Sequence, residues 1–159
     1  MKFGLFTCGY QRTALEKAFA DAKAFGYDYI ELWGGRPHAY GPDLIRDDSR
    51  QLYRILELKE RYEMPVPIYT PEHNAYPFNY MLGDEISRRE SLEYLKCCIK
   101  AAGRVGADYM LVSAGHGGSA TIELVTHYID APGEACGAAL MYVRKLMKHY
   151  LPEGRQRRF

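Results

Sequence analysis

Short apolar runs alternate with amphipathic helical segments through most of this chain. Four runs have the length and the aliphatic and aromatic content of buried strands: KFGLFTC, YIELW, PVPIYT and DYMLVSA. A segment with helical periodicity follows each of the first three. Strands that alternate with helices at this rhythm predict βαβ units and a parallel sheet. Right-handed crossovers then place the helices on one side, as in a barrel, or on both sides, as in a doubly wound sheet.

The helical segments carry apolar residues at three- and four-residue spacing. The first follows Thr13, which has the spacing of a capping box with Glu16, and Gly26 is expected to end it. Its predicted buried stripe consists of Leu15, Ala18, Phe19, Ala22 and Phe25. The second helix is predicted over SRQLYRILELKERYE, with a stripe of Leu52, Ile55, Leu56 and Tyr62. The third is predicted over EISRRESLEYLKCCIKAAGRVG.

The alternation stops between DYMLVSA and the next strand-like run, TIELV. Only GHGGSA separates them, and a parallel neighbour requires a crossover of about a dozen residues or more. We therefore expect TIELV to form an antiparallel hairpin with DYMLVSA, or to belong elsewhere in the sheet or in another chain. The GHGGS loop is typical of a flexible junction, and also of a backbone nest that holds an anion.

The composition excludes several classes of function. The chain has 159 residues, of which 47% are hydrophobic and 26% are charged, so one domain with a real core is expected. The net charge of +1 indicates neither nucleic acid nor a membrane as a partner. Four cysteines without CxxC spacing are typical of reduced thiols in the cytoplasm. No run approaches the ~20 apolar residues of a membrane helix.

Several words of the sequence, in order, resemble the sugar phosphate isomerase/epimerase family, which is related to the tagatose and psicose 3-epimerases and to xylose isomerase. These words are FTCGYQR, IELWGGRPHAYGPDL, YTPEHNAYPFNYMLGDE, RRESLEYLK and TIELVTHY. The resemblance implies an α/β fold, a partial (β/α)8 TIM barrel in which residues 1–159 form one incomplete domain. Up to His116 the chain is similar to barrel units one to four, and from about Ala120 to the eighth. A junction at 115–120, with units five to seven missing, would explain the absent helix.

The resemblance also implies a reaction, the metal-dependent epimerisation at C3 of a ketose derivative such as fructoselysine. Members of the family hold Mn²⁺, Mg²⁺ or Co²⁺ with Glu, Asp, His and Glu from late strands, and two carboxylates move the proton at the reacting carbon. Glu123 in TIELV matches the last glutamate, which is both a metal ligand and a catalytic acid–base. The other ligands have no counterpart here. His116 and His127 are strand-end histidines or parts of a rebuilt metal site. The alternative is a catalytically inactive partial barrel, a binding or assembly module or a deletion product.

Barrel active sites lie at the carboxyl ends of the strands. The residues at those ends, beside Thr7, are expected to contact a sugar or sugar-amine: Cys8, Trp33, Arg36, His38, Glu72, Asn74, Ser113 and His116. Trp33 is equally consistent with a core or rim aromatic, and Glu31 with a polar residue of the barrel interior. The aromatic loop of Tyr76, Phe78 and Tyr80 is a lid, or it packs the loop down.

An incomplete barrel would expose strand edges and apolar inner faces. We therefore expect the chain to form a homo-oligomer. The endonuclease branch of the superfamily would need several further metal-binding histidines and a basic groove, and neither is evident in the sequence.

Overall fold

The computed structural model of the chain describes residues 1–72, Phe78 and 85–112. Their strands are β1 (Gly4–Phe6), β2 (Tyr29–Gly34), β3 (Ile68–Pro71) and β4 (Tyr109–Met110). The α-helices are α1 (Leu15–Ala24), α2 (Gly41–Leu44), α3 (Arg50–Arg61) and α4 (Glu85–Val105), and a 3₁₀ helix, Thr7–Tyr10, follows β1. The strands form one parallel sheet in the order β1-β2-β3-β4. The predicted α/β fold with a parallel sheet is therefore confirmed.

The chain divides into two compact units. The first, residues 1–72 and 97–112, contains the whole described sheet. Of the second, residues 73–96 and 113–159, the structure describes Phe78 and 85–96. Within that unit the ring of Phe78 stacks on Tyr94 with centroids 3.9 Å apart and planes 11° apart, so this aromatic packs down on α4. The predicted hairpin of TIELV and the junction at 115–120 lie outside the described residues.

The two faces of the sheet differ in burial. Leu5 pairs with Ile30 and Leu32 with Tyr69, and all four side chains are buried. Since side chains alternate along a strand, the intervening residues form the other face. Phe6 and Glu31 are paired there, and Thr70 lies on the same face; Phe6 is exposed, and Glu31 and Thr70 are half-buried. The polar residues of the strands thus lie on the more open face.

Helix α1 begins differently from the prediction. The capping box is wrong: Ala14 precedes the helix without a side-chain cap, and the Thr13 hydroxyl donates to the carbonyl of Tyr10. Glu16 instead forms ion pairs with two arginines of α3, Arg54 and Arg61. Its carboxylate therefore joins α1 to α3 and does not cap α1.

The carboxyl end of α1 is the one predicted. Gly26 has a φ of +74°, and the amide of Tyr27 donates to the carbonyl of Ala22 at 2.9 Å. This is the arrangement that ends many helices at a glycine. Phe25 lies beyond the last helical residue and is 76% exposed, so its predicted burial is wrong.

Helix α3 is capped by Ser49, whose hydroxyl accepts from the amide of Leu52 at 3.2 Å. The predicted stripe is correct for Leu52 and Ile55 but wrong for Leu56, which is 39% exposed, while Leu58 is fully buried. In the described part of the chain no helix is long and apolar enough to cross a membrane.

Candidate functional site

Side chains at the carboxyl ends of β1, β2 and β3 form a connected group. The main-chain amide of Trp33 donates to the hydroxyl oxygen of Thr7 at 2.8 Å, and its indole N–H donates to Oε2 of Glu72 at 2.7 Å. Thr7 is fully buried, Trp33 is 5% exposed and Glu72 is half-buried. We call this group the Thr7–Trp33–Glu72 array. It connects three strand ends through two hydrogen bonds.

A second carboxylate lies one step further back on the same face of β2. The hydroxyl of Thr70 donates to Oε1 of Glu31 at 2.7 Å. In the sheet Glu31 is paired with Ile68 and Trp33 with Thr70. Each of these β2 side chains is hydrogen-bonded to the residue two positions after its partner: Glu31 to Thr70, and Trp33 to Glu72, which follows β3. Glu31, which is expected as a polar residue of the barrel interior, is half-buried on the more open face of the sheet.

Both carboxylates act on Cys8, which lies in the 3₁₀ helix after β1. Partial burial raises the pKa of the Cys8 thiol, and the negative charges of Glu31 and Glu72 raise this pKa further. A thiol with a raised pKa stays protonated at neutral pH and is a poor nucleophile. The group therefore offers two carboxylates as hydrogen-bond acceptors and a neutral thiol.

The glycines of the WGG sequence make room for this arrangement. A Cβ on Gly35 would lie 2.1 Å from the Trp33 ring, and one on Gly34 would lie 2.7 Å from the hydroxyl of Tyr69. Both clashes involve packed aromatic side chains, so larger residues would displace the indole or β3. Gly35 therefore accommodates the Trp33 ring, and Gly34 accommodates the side chain of Tyr69.

Arg36 lies in a different surface feature. Its guanidinium binds both carboxylate oxygens of Asp43, at 2.8 and 3.0 Å, and lies 4.5 Å from the centroid of the Tyr40 ring. With Arg46 and Arg50, among others, it lines a cleft of about 390 Å³. The peptide bond between Arg36 and Pro37 is cis.

His38 is buried beside the amino end of α1. Its Nε2 lies 2.8 Å from the carbonyl oxygen of Thr13, and its Nδ1 has no hydrogen-bond partner. Because a carbonyl only accepts, Nε2 carries the proton. His38 lines a second cleft, of about 300 Å³, with α1 and α3 residues that include Leu15 and Gln51.

The remaining predicted site residues, Asn74, Ser113, His116 and Glu123, lie outside the described residues. Within 1–72, Phe78 and 85–112, no three His, Cys, Asp or Glu side chains are grouped so that they could hold a metal ion. Glu31 and Glu72 are instead bound by Thr70 and Trp33. With the other described residues, the two carboxylates therefore form no divalent-cation site.

A family profile described as the xylose isomerase-like TIM barrel matches residues 19–148. The chain belongs to this family. Two curated relatives are more specific. The chain is 53% identical to fructoselysine 3-epimerase of Shigella flexneri over 121 residues, and 52% identical to that of Escherichia coli O157:H7 over the same length. Each alignment covers 76% of this chain and 43% of the relative, so the chain spans less than half the length of these proteins.

Solved structures agree on the fold. A putative xylose isomerase from Rhodospirillum rubrum superimposes with a TM-score of 0.73 at 14% identity, covering 94% of this chain and 51% of that one. A D-tagatose 3-epimerase-like protein gives a TM-score of 0.70 at 17% identity, covering 94% of this chain and 50% of that one. At these identities the likeness shows the fold alone. It confirms a part of a TIM barrel.

Proposed function

We propose that this chain binds an amine-linked ketose of the fructoselysine class at the carboxyl ends of its strands, as part of a sugar 3-epimerase. The observation that carries the proposal is a pair of carboxylates held by hydrogen bonds: Glu31 of β2 accepts from Thr70, and Glu72, which follows β3, accepts from Trp33. Sugar hydroxyls donate to carboxylates, and the ammonium group of a sugar-amine adds charge attraction. The identity of 53% to a fructoselysine 3-epimerase supports the choice of substrate class.

Epimerisation at C3 requires removal of the C3 proton and its return on the opposite face. We propose Glu123 as one acid–base group and as a ligand of a divalent cation, Mn²⁺, Mg²⁺ or Co²⁺. Such a cation supplies Lewis acidity that makes the C–H proton removable. Cys8 and Glu72 contact the substrate in this proposal, and Asn74, Ser113 and His116 surround it, whereas Arg36 and His38 line two other clefts. A second acid–base group is required, because one carboxylate cannot serve both faces of the carbon.

The second candidate function is a binding or assembly module without catalysis. Both candidates bind the sugar at the same face of the sheet. They differ in the role of Glu123, which is a metal ligand and an acid–base group only in the enzyme. We further propose a homo-oligomer in the cytoplasm. Tyr109 and Leu111, at and just beyond β4, are 55% and 59% exposed, and Cys8, Cys97 and Cys98 are not in disulfide bonds.

Calorimetry on the purified chain tests the proposal in two arms. Fructoselysine is titrated first, against fructose as the neutral comparison and against the Glu72→Gln variant. Binding of fructoselysine that exceeds binding of fructose and weakens in Glu72→Gln supports the site. The matched control is Glu60→Gln, an exposed residue of α3, which should not change the affinity. Equal affinity for both sugars, or no binding of either, contradicts the proposal.

The second arm titrates Mn²⁺ into the wild type and the Glu123→Gln variant. Micromolar binding that the substitution abolishes supports the metal-dependent enzyme, and conversion of fructoselysine to its C3 epimer is then followed by NMR. Sugar binding without Mn²⁺ binding supports the module without catalysis.

A further inference from the structure

We infer that Trp33 is a positioning residue for Glu72: its indole N–H orients the carboxylate that receives the substrate, while Thr7 fixes the backbone of Trp33. This inference deepens the proposed function and rests on it. The sequence leaves two roles open for Trp33, a direct sugar contact and a core or rim aromatic. The hydrogen bonds of the Thr7–Trp33–Glu72 array assign it a different one.

The indole has a single hydrogen-bond donor, and Glu72 uses it. The donor lies 2.7 Å from Oε2 of Glu72, and only 5% of Trp33 is exposed. Indole has no acceptor atom. Trp33 therefore has no polar atom left for a ligand and little surface for stacking, so its influence on a ligand passes through Glu72.

The hydrogen bond from the indole restricts the orientation of the Glu72 carboxylate as well as its position. A carboxylate rotates about its last bond unless a partner holds one of its oxygens. With Oε2 held by a buried, rigid ring, the plane of the Glu72 carboxylate is set, and with it the directions in which it accepts further donors. Preorganisation of this kind improves binding because less orientational freedom is lost when the ligand arrives.

Thr7 supplies the support for the ring. Its side chain is fully buried and accepts from the main-chain amide of Trp33 at 2.8 Å. The acceptor lies 26 residues before its donor, so it joins the end of β1 to the end of β2. Without that acceptor, a buried amide would lose its partner and the chain at Trp33 would shift to find another.

The test uses the fact that Trp33 is the only tryptophan of the chain. The indole N–H therefore gives one NMR signal, and a charged acceptor moves it downfield. We expect the signal to move upfield in Glu72→Gln, which keeps the shape of the side chain and removes its charge. We also expect a shift in Thr7→Val, which keeps the shape and removes the acceptor, and recovery of the wild-type position in Thr7→Ser.

Affinity for fructoselysine is the second readout. We expect about tenfold weaker binding in Trp33→Phe and in Thr7→Val, the loss that one hydrogen bond to a charged group represents. Thr7→Ser should stay within twofold of the wild type. Tyr69→Phe is the matched control: it removes the buried hydrogen bond of 2.8 Å from Tyr69 to the carbonyl of Ala39, outside the array, and should also stay within twofold.

Two results would overturn the inference. An indole signal that does not respond to Glu72→Gln means that the two side chains are not paired in solution. Binding that weakens in Glu72→Gln but not in Trp33→Phe means that Glu72 acts without being positioned. If the wild type does not bind fructoselysine, the proposed function fails, and the indole signal alone decides on the pairing within the array.

Discussion

Gly26 provides a test of the backbone at the end of α1 that is free of side-chain effects. Its φ is +74°, and an added Cβ would meet no atom within 4 Å. Replacement by alanine therefore costs only the left-handed conformation, about 1–2 kcal/mol. Alanine also reduces the conformational freedom of the unfolded chain, which offsets about 0.4–1 kcal/mol of this cost. We expect Gly26→Ala to lower the free energy of unfolding by about 1 kcal/mol.

Urea unfolding followed by circular dichroism measures this change, provided that the dependence on urea concentration has the same slope in both proteins. Gly9→Ala is the matched control, since a Cβ there also meets nothing within 4 Å and the residue is not left-handed. It should cost nothing and can even stabilise the chain slightly. Equal losses in the two variants, or no loss in Gly26→Ala, would refute the left-handed end of α1.

Three further predictions concern packing, the thiol and assembly. Gly41→Ala should cost about 1–3 kcal/mol in urea unfolding, because the new Cβ would lie 2.9 Å from Sγ of Cys98; a cost unrelieved by adding Cys98→Ala would contradict this reason. Cys8 should react with iodoacetamide only at a higher pH than free cysteine does, because burial and two carboxylates raise its pKa. Glu72→Gln should shift the pH dependence of this alkylation to lower pH, as followed on the Cys8 peptide by mass spectrometry. An unchanged pH dependence would place Glu72 away from the thiol. Sedimentation velocity should show an oligomer that Tyr109→Lys weakens, since this residue is 55% exposed beside the sheet, whereas a monomer at all concentrations argues against self-association.

Periodicity was sufficient to predict the four described strands, helices α1, α3 and α4, and most of the buried stripes of α1 and α3. It did not determine on which residue the buried face of a helix is centred. In α3, Leu52 and Ile55 are compatible with a face centred toward Leu56 or toward Leu58, and only contacts with the rest of the molecule select Leu58. Phe25 fits the spacing of α1 but follows its last residue. Beyond the end of a helix the side chains no longer follow the helical period, so the spacing does not predict their burial.

The strand ends could be predicted as the site, but the pairing of their side chains could not. Alternation of buried and open residues determines which face each residue occupies, because a slip of one residue would turn Glu72 toward the buried face. A slip of two residues preserves that alternation and would give Trp33 a different neighbour. The register that pairs Gly34 with Pro71 removes this ambiguity, and alternation alone does not determine it. Glu31 with Thr70, and Trp33 with Glu72, are both 39 residues apart, so one register produces both hydrogen bonds. A substitution that shifts β3 against β2 should therefore abolish both together, even where every residue of the site is unchanged.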